Sequence, residues 1–221
     1  MWYKLSWMYI WNQKVRPSWG LPSTYQEVEY IQSSWTQYID SWISWANGYI
    51  AEAKFILTEL GWTSDDCYVL WSGWAYPNYA AYITKQWAYW THRWRQSIQN
   101  TSIESWSIST NTEYIVKSTI LTSGNRLEVN WSTIGTSTLS TSYDNWYNMY
   151  ILAMNSEWTA GNFWKAKLYY LKIWQGSESN LIRDFVPCYR KSDSVIWLYD
   201  IENDVFYTNS WTWTFTKWPD V

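Results

Sequence analysis

The sequence is poor in the residues that form metal sites and disulfide frameworks. It contains only two cysteines and one histidine in 221 residues, whereas a structural zinc site needs about four such ligands. Cys67 and Cys188 are expected to be buried thiols that pack as small hydrophobic side chains, with a disulfide between them as the alternative. We expect no cofactor, although calcium is an alternative to a solvated loop at the adjacent acids Asp65 and Asp66.

The chain also has no charge excess and no long apolar run. Its formal net charge is −3 and its 16 lysines and arginines are scattered, so nucleic acid is not an expected partner. No segment reaches the ~18 apolar residues that predict a membrane span. The N-terminus lacks the apolar segment and cleavage site of a secretory signal peptide. The length suits one β-sandwich with its own hydrophobic core.

Glycine is scarce and tryptophan is abundant. The chain has 8 glycines and 23 tryptophans, where ordinary usage predicts about 15 glycines. Trp131 follows Asn130, and Trp146 follows Asn145, at places where an Asn-Gly turn is expected between strands. Other tryptophans in turn contexts are Trp19, Trp62, Trp158, Trp211 and Trp213. Several turn types need a positive φ, which only glycine adopts at little cost.

These positions predict that glycines have been written as tryptophans. Some bacterial lineages, and the phages that infect them, read UGA codons as glycine, and translating those codons as tryptophan produces this pattern. Trp174 is the exception, because its neighbours are typical of a strand, and we expect it in the core. Many of the other 22 among the 23 tryptophans are expected to lie exposed in loops. The alternative is that every tryptophan is genuine, as in an aromatic-rich binding surface.

From Tyr25 onward the apolar pattern has the period of two that β-strands show. Alternate residues of Tyr49–Leu57 are apolar, whereas Glu52 and Lys54 face the other way. Further predicted strands are 114–120, 127–129, 148–154, 167–174, 181–189 and 195–199, with a hairpin turn at 123–125 and one short helical turn near 97–105. The pattern predicts an all-β, two-sheet antiparallel jelly-roll sandwich.

Residues 1–24 differ from the rest of the chain. A short strand at 8–10 and a second at 14–17 are predicted there, and Pro17, Gly20 and Pro22 then break regular structure. We therefore divide the chain into an N-terminal attachment segment and linker, residues 1–24, and a jelly-roll domain, residues 25–221.

Segment 25–40, Tyr-Gln-Glu-Val-Glu-Tyr-Ile-Gln-Ser-Ser-Trp-Thr-Gln-Tyr-Ile-Asp, resembles the opening strand pair of concanavalin A/laminin-G-like jelly-roll domains in phage and bacterial surface proteins. That family typically has glycine at the positions of Trp35 and Trp42. Segments 124–132, 163–176, 181–190 and 195–200 resemble its later hairpin, strand and C-terminal signature. The resemblance covers residues 25–218 and implies a lectin-like binding fold, which binds calcium in some members. Residues 1–24 resemble short N-terminal segments of phage tail or fibre proteins.

Aromatic and cationic residues concentrate in segment 76–95, which makes it the best candidate for a ligand-contact region. Tyrosine with polar neighbours suits sugar stacking or protein contact. The alternative is that the tyrosines are core residues and that the single histidine lies in a loop. The predicted ligand-binding residues are Tyr79, Tyr82, Tyr89, His92 and Arg93.

Two sets of acids have the spacing of a catalytic pair on a strand, and the first, Glu27 and Glu29, is expected to form an exposed edge. A glycoside hydrolase needs two carboxylates about 5–9 Å apart, and residues two apart share one side of a strand. Asp200, Glu202 and Asp204 have this spacing, but their context indicates a solvated hairpin turn. No nucleophile elbow or phosphate-binding loop occurs. We therefore predict no catalytic residues and no enzyme activity.

These observations predict a non-catalytic binding or structural module of a phage virion or a cell surface. The expected partner is a glycan or a surface protein, and residues 1–24 are expected to mediate homo-oligomerisation or virion assembly. The alternatives are a laminarinase-like glycoside hydrolase and a virion decoration protein without a ligand. This prediction rests on the family resemblance and on the absence of a catalytic group of residues, and not on an identified binding site.

Overall fold

The computed structural model is built from short and medium β-strands. It describes residues 9–10, 13–14, 20–34, 36–46, 48–59, 70–71, 82–86, 91–98, 101–106, 108–138, 144–156, 158–161, 163–210, 214–217 and 219–221. The strands are β1 (Tyr9–Ile10), β2 (Gln13–Lys14), β3 (Tyr25–Glu27), β4 (Ile31–Gln32), β5 (Ile39–Ala46), β6 (Tyr49–Leu57), β7 (Leu70–Trp71), β8 (Tyr82–Gln86), β9 (Thr91–Ile98), β10 (Thr101–Trp106), β11 (Glu113–Leu121), β12 (Gly124–Val129), β13 (Ser132–Ser137), β14 (Asp144–Ile151), β15 (Met154–Ser156), β16 (Thr159–Gly161), β17 (Ala166–Gln175), β18 (Leu181–Arg190), β19 (Val195–Asp200), β20 (Val205–Tyr207) and β21 (Thr216–Lys217).

The strands form an antiparallel jelly-roll sandwich, as the sequence predicted. One layer is an 11-stranded sheet with the order β13-β12-β11-β6-β17-β18-β19-β20, to which β3, β4 and β21 are added. The facing layer contains two 3-stranded sheets, β5-β14-β7 and β10-β9-β8. Both layers contribute to one hydrophobic core, since Ile39 and Met149 of one small sheet and Trp94 of the other lie in the same cluster as Phe55 of the large sheet.

Alternation along the strands decides which face is buried. In β6, Ala51, Ala53, Phe55 and Leu57 belong to the core, and Glu52 lies on the opposite face. Successive side chains of a strand point to opposite faces, so one period-two pattern fills the core and leaves a polar second face. We call the face of the 11-stranded sheet that is turned away from the core its outer face.

Most of the predicted strands are confirmed, but the strand predicted at 148–154 ends at Ile151, and one predicted helical turn is wrong. The strands predicted at 167–174, 181–189 and 195–199 correspond to β17, β18 and β19. The helical turn predicted near 97–105 is instead part of a hairpin, because β9 and β10 pair from Thr101↔Ile98 to Trp106↔Arg93. The polar residues of this segment show no helical period of their own. Trp94 of β9 and Ile103 of β10 are both buried in the sandwich core, which favours the hairpin.

The N-terminal segment contains two short paired strands; β1 falls within the strand predicted at 8–10, whereas β2 shares only Lys14 with the strand predicted at 14–17, of which residues 15–17 lie outside the described residues. β1 and β2 pair antiparallel, with Tyr9 opposite Lys14 and Ile10 opposite Gln13. Further along, Leu21 and Tyr25 pack on the outer face of the large sheet against a small apolar cluster that includes Cys188. Cys188 is a buried free thiol, and burial raises its pKa to about 12. The thiol is thus protonated and packs as a hydrophobic side chain, as predicted; Cys67 lies outside the described residues.

Three tryptophans occupy the backbone conformation that the sequence assigned to glycine. Trp42, Trp131 and Trp158 have φ values of 55°, 67° and 69°, and 73%, 68% and 58% of their surfaces are exposed. Asn130 also has a positive φ, of 48°. It forms with Trp131 the two-residue loop between Val129 and Ser132. Two consecutive positive φ values define a type I′ turn, for which Asn-Gly is the preferred sequence, so the turn predicted at Trp131 is confirmed.

Trp158 and Trp42 also occupy backbone positions at which glycine is favoured. Trp158 ends the two-residue loop between Ser156 and Thr159, and its backbone N–H donates to Asn155 Oδ1 at 2.8 Å. Trp42 lies inside β5 where the pairing with β14 shifts register. A bulge of this kind favours glycine in the left-handed region. The side chains of all three residues therefore contribute exposure and strain rather than core packing.

Other tryptophans do not follow the prediction. Trp94 and Trp164 are buried in the core beside Phe55. Trp174, expected in the core, is half-buried on the outer face instead, because Ile173 takes the core position beside it. Trp146 lies within β14 rather than in a turn, at an irregular stretch of the ladder. Trp19, Trp35, Trp62, Trp211 and Trp213 lie outside the described residues.

Candidate functional site

The structure brings part of the predicted contact region onto one small sheet. Tyr82 lies on β8, and His92 and Arg93 lie on the adjacent β9, where Lys85 is opposite His92 and Thr84 is opposite Arg93. His92 is therefore a strand residue, and its placement in a loop was wrong. The hairpins on both sides of β9 give its backbone hydrogen-bond partners, which local composition did not reveal. Tyr79 and Tyr89 lie outside the described residues.

A row of alternating charges crosses the outer face of the large sheet. Lys117 of β11 is directly opposite Glu128 of β12 and Glu52 of β6. Glu52 is opposite Lys172 of β17, which is opposite Asp184 of β18. Opposite charges in directly facing positions attract one another. We call these five residues the charge row.

The charges of the row are closely paired. Lys172 Nζ lies 3.1 Å from Asp184 Oδ2. Lys117 Nζ lies 2.6 Å from Glu178 Oε2 and 3.9 Å from Glu52 Oε2. Glu52 has only 7% of its surface exposed, so the row is an ion-pair network inside the sheet surface rather than a set of solvated charges.

Aromatic side chains surround this network. The Tyr170 hydroxyl donates to Glu52 Oε1 at 3.0 Å. Lys117 Nζ lies 5.4 Å from the ring centroid of Trp174, which is cation–π geometry. The outer face thus places a half-buried indole and a phenol beside paired charges. A flat, polar and aromatic surface of this kind can contact a sugar ring or a polar protein surface.

The structure alters the titration of Glu52, an acid of the charge row. Burial raises the pKa of Glu52, while the hydrogen bond from Tyr170 and the charge of Lys117 act in the opposite direction. Burial, and then the charge of Glu52, raise the pKa of Tyr170. At neutral pH Tyr170 is a neutral hydrogen-bond donor that positions the Glu52 carboxylate.

Replacing Glu52 by glutamine is expected to remove a pH-dependent loss of stability. Since its folded-state pKa is raised, the folded chain keeps the Glu52 proton to a higher pH than the unfolded chain does. The contribution is therefore present at low pH and is lost as the pH rises through and above the ordinary glutamate range, about 4.3. Urea unfolding from acidic to neutral pH should show wild type losing stability relative to Glu52→Gln, whereas Glu202→Gln, at an exposed turn position, should run parallel to wild type. Parallel curves for Glu52→Gln would contradict the assignment.

The acidic hairpin turn was predicted correctly, but not the environment of its first member. Residues 201–204 form the turn between β19 and β20, and Glu202 and Asp204 are exposed. Asp200 is instead fully buried. It accepts hydrogen bonds from the backbone N–H groups of Asp184 and Glu202 at 3.0 and 3.1 Å. Its carboxylate ties β18 to the turn, so Asp200 and Glu202 do not face one another as a catalytic pair.

The described part of the chain was found to contain neither a metal-binding cluster nor a membrane-spanning helix. None of their histidine, cysteine, aspartate and glutamate side chains form a group of three or more that could hold a metal ion. Asp65 and Asp66, the candidates for calcium, lie outside those residues. The described part of the chain has no helix long and apolar enough to cross a bilayer. Sequence reasoning missed the charge row because its members are single positions on five strands, with no local motif.

Comparison with known proteins found similarity only at the level of solved structures. No family model and no curated protein matches the chain. It is similar to domains LG4-5 of the mouse laminin alpha1 chain, with 9% identity and a TM-score of 0.43 over 80% of this chain and 49% of that structure. It is also similar to the Trypanosoma rangeli sialidase in complex with sialic acid, with 13% identity and a TM-score of 0.38 over 57% of this chain and 20% of that one. The chain thus spans about half the length of the laminin structure and a fifth of the sialidase.

Proposed function

We propose that this chain is a non-catalytic binding module of a phage virion or cell surface that contacts a glycan or a surface protein. One observation carries the proposal. Five described carboxylates of the outer face are held in ion pairs with lysine or arginine: Glu52, Glu113, Glu128, Glu178 and Asp184. A face with polar and aromatic groups but with neutralised acids suits recognition better than hydrolysis.

The alternative function, a glycoside hydrolase, requires acidic residues that are free of structural partners. A glycosidase needs one carboxyl group free to protonate the leaving oxygen and a second free to act as nucleophile or base. Asp184 is bound to Lys172, and Asp200 is bound by two backbone N–H groups. Both carboxylates are thus held by structural partners and are not free to act on a substrate, so binding without turnover is the better supported proposal.

A glycan array with a matched hydrolysis assay tests this proposal. The wild-type chain is expected to retain selected neutral glycans on the array and to release no reducing sugar from laminarin. The predicted contact region is tested by Tyr79→Ala and Arg93→Ala, each expected to lower the array signal severalfold. Unchanged signals in both variants would exclude that region, and release of reducing sugar would replace the proposal with the hydrolase.

We also propose that residues 1–24 attach the domain to its own copies or to a virion. The observation in support is that β1 and β2 form a separate hairpin with no other strand partner among the described residues. Light scattering of the full chain is expected to give an oligomer, and a chain lacking residues 1–19 a monomer. The shortened chain retains Leu21, which packs on the sheet. A monomeric full chain in solution, with no cross-linked higher species, would exclude self-association through this segment.

The third proposal is that native glycines stand at most of the tryptophan positions. Its support is the positive φ and high exposure of Trp42, Trp131 and Trp158. In addition, the buried indole N–H groups of Trp164 and Trp197 have no hydrogen-bond acceptor, although buried tryptophans usually find one. The gene is expected to carry UGA at these positions and UGG at Trp174. UGG codons at Trp42, Trp131 and Trp158 would refute the proposal.

A further inference from the structure

A polar groove lies on the outer face where β11, β12 and β13 meet, and the charge row does not include it. The groove has a volume of about 680 Å³, within the range of pockets that hold small organic ligands. Its lining is mainly hydroxyl groups with one amide and one guanidinium. The residues that define this hairpin groove are Thr119, Leu121, Ser123, Gly124, Asn125, Arg126, Thr136, Ser137 and Thr138.

One buried polar atom of the lining on the outer face lacks a partner. Thr119 has 7% of its surface exposed, and its Oγ1 makes no hydrogen bond. Asn125 is opposite the core residue Ile120, so its side chain is on the core side of β12. A buried polar atom without a partner is costly, so Thr119 Oγ1 favours a ligand that supplies its own hydroxyl groups.

The charge of the groove is already balanced. Arg126 Nε lies 3.0 Å from Glu128 Oε2, and another guanidinium nitrogen lies 3.9 Å from Glu178 Oε1. One cation with two neighbouring carboxylates does not create a site for an anion. The remaining groups of the lining are neutral donors and acceptors, which match a neutral, hydroxyl-rich ligand.

We propose that the hairpin groove binds a neutral oligosaccharide. This inference rests on the proposed glycan-binding function and adds to it a second, more definite site. Thr119 Oγ1 and the Thr136 hydroxyl bind sugar hydroxyls.

The experiment uses the full chain, an array of neutral and acidic oligosaccharides, and calorimetry with the best neutral hexasaccharide. Thr119→Val removes the unpartnered hydroxyl and keeps the shape of the side chain. Thr136→Val removes an exposed hydroxyl of the groove. Each variant is expected to weaken binding about fivefold to tenfold. Thr133→Val on the same strand is the matched control, because Thr133 is exposed but does not line the groove.

The possible outcomes distinguish a failure of the proposed groove site from a failure of the proposed glycan-binding function. Neutral glycan binding that weakens in Thr119→Val and Thr136→Val, but not in Thr133→Val, supports the groove. Binding that persists in both groove variants would overturn the groove while the glycan-binding function stands. A blank array would overturn both. Affinity should change less than about twofold between low and high salt, and a steep fall with salt would overturn the neutral class of ligand.

Discussion

Replacing Trp42, Trp131 and Trp158 by glycine together is expected to raise the free energy of unfolding by about 2–6 kcal/mol. A non-glycine residue in the left-handed region costs about 1–3 kcal/mol, and glycine offsets about 0.5–1 kcal/mol of this gain because its unfolded chain has more conformational entropy to lose. The three residues lie at separate positions, in β5, the β12–β13 turn and the β15–β16 turn. Their effects should therefore add.

Urea unfolding of the single variants and the triple variant measures this effect, and solubility should rise as the three indoles are removed. Trp174→Gly is the matched control. Trp174 lies near the C-terminal end of β17 and contacts Lys117, so glycine there should destabilise by about 2 kcal/mol through lost packing and strand propensity. A triple variant no more stable than the parent would show that the exposed indoles cause no strain. It would also remove the main support for native glycine at these positions.

Asp200→Ala is expected to be the most damaging single change in the large sheet outside its apolar core, at about 3–5 kcal/mol. Its carboxylate accepts from the backbone of Asp184 and Glu202 and from Asn203 Nδ2 at 2.7 Å, and it lies 3.4 Å from Arg183 Nε. Alanine leaves the two backbone donors without a partner and leaves the guanidinium without its counter-ion. For a chain of this length the melting temperature should fall by roughly 6–20 °C.

Glu202→Ala tests whether this effect is specific to Asp200. Glu202 is two residues away in the same turn and is exposed, so its side chain should contribute less than about 0.5 kcal/mol. Calorimetric melting of the two variants under one buffer condition compares them directly. Equal losses would mean that the turn as a whole, and not the buried carboxylate, ties β18 to β19.

Much of the fold follows from local pattern. The alternation in Tyr49–Leu57 predicted which side chains of β6 enter the core, and Asn130-Trp131 predicted the tight turn between β12 and β13. Both rest on interactions within a few residues of sequence. The side-chain period of a strand and the backbone preference of a turn are local properties, so they can be inferred without the partners.

The candidate site could not be inferred in the same way. Lys117 lies 65 positions after Glu52, and Lys172 a further 55, as their numbers show, yet the three occupy facing positions. Which strands become neighbours in a sheet depends on how the whole chain folds. The burial of Asp200 was missed for the same reason, because its donors include Asp184 on the adjacent strand.

The sequence by itself thus determined the all-β class, most strand positions, the tight turns and the sites where glycine is expected. These depend on the alternation of side chains and on the φ angles that single residues tolerate. Only the tertiary structure decided that Glu52, Lys117 and Lys172 pair across the sheet and that Trp174 lies on the outer face. It also decided that Thr119 and Arg126 meet in a groove. Such contacts join strands distant in sequence, and their energies depend on burial and facing register, which no local segment specifies.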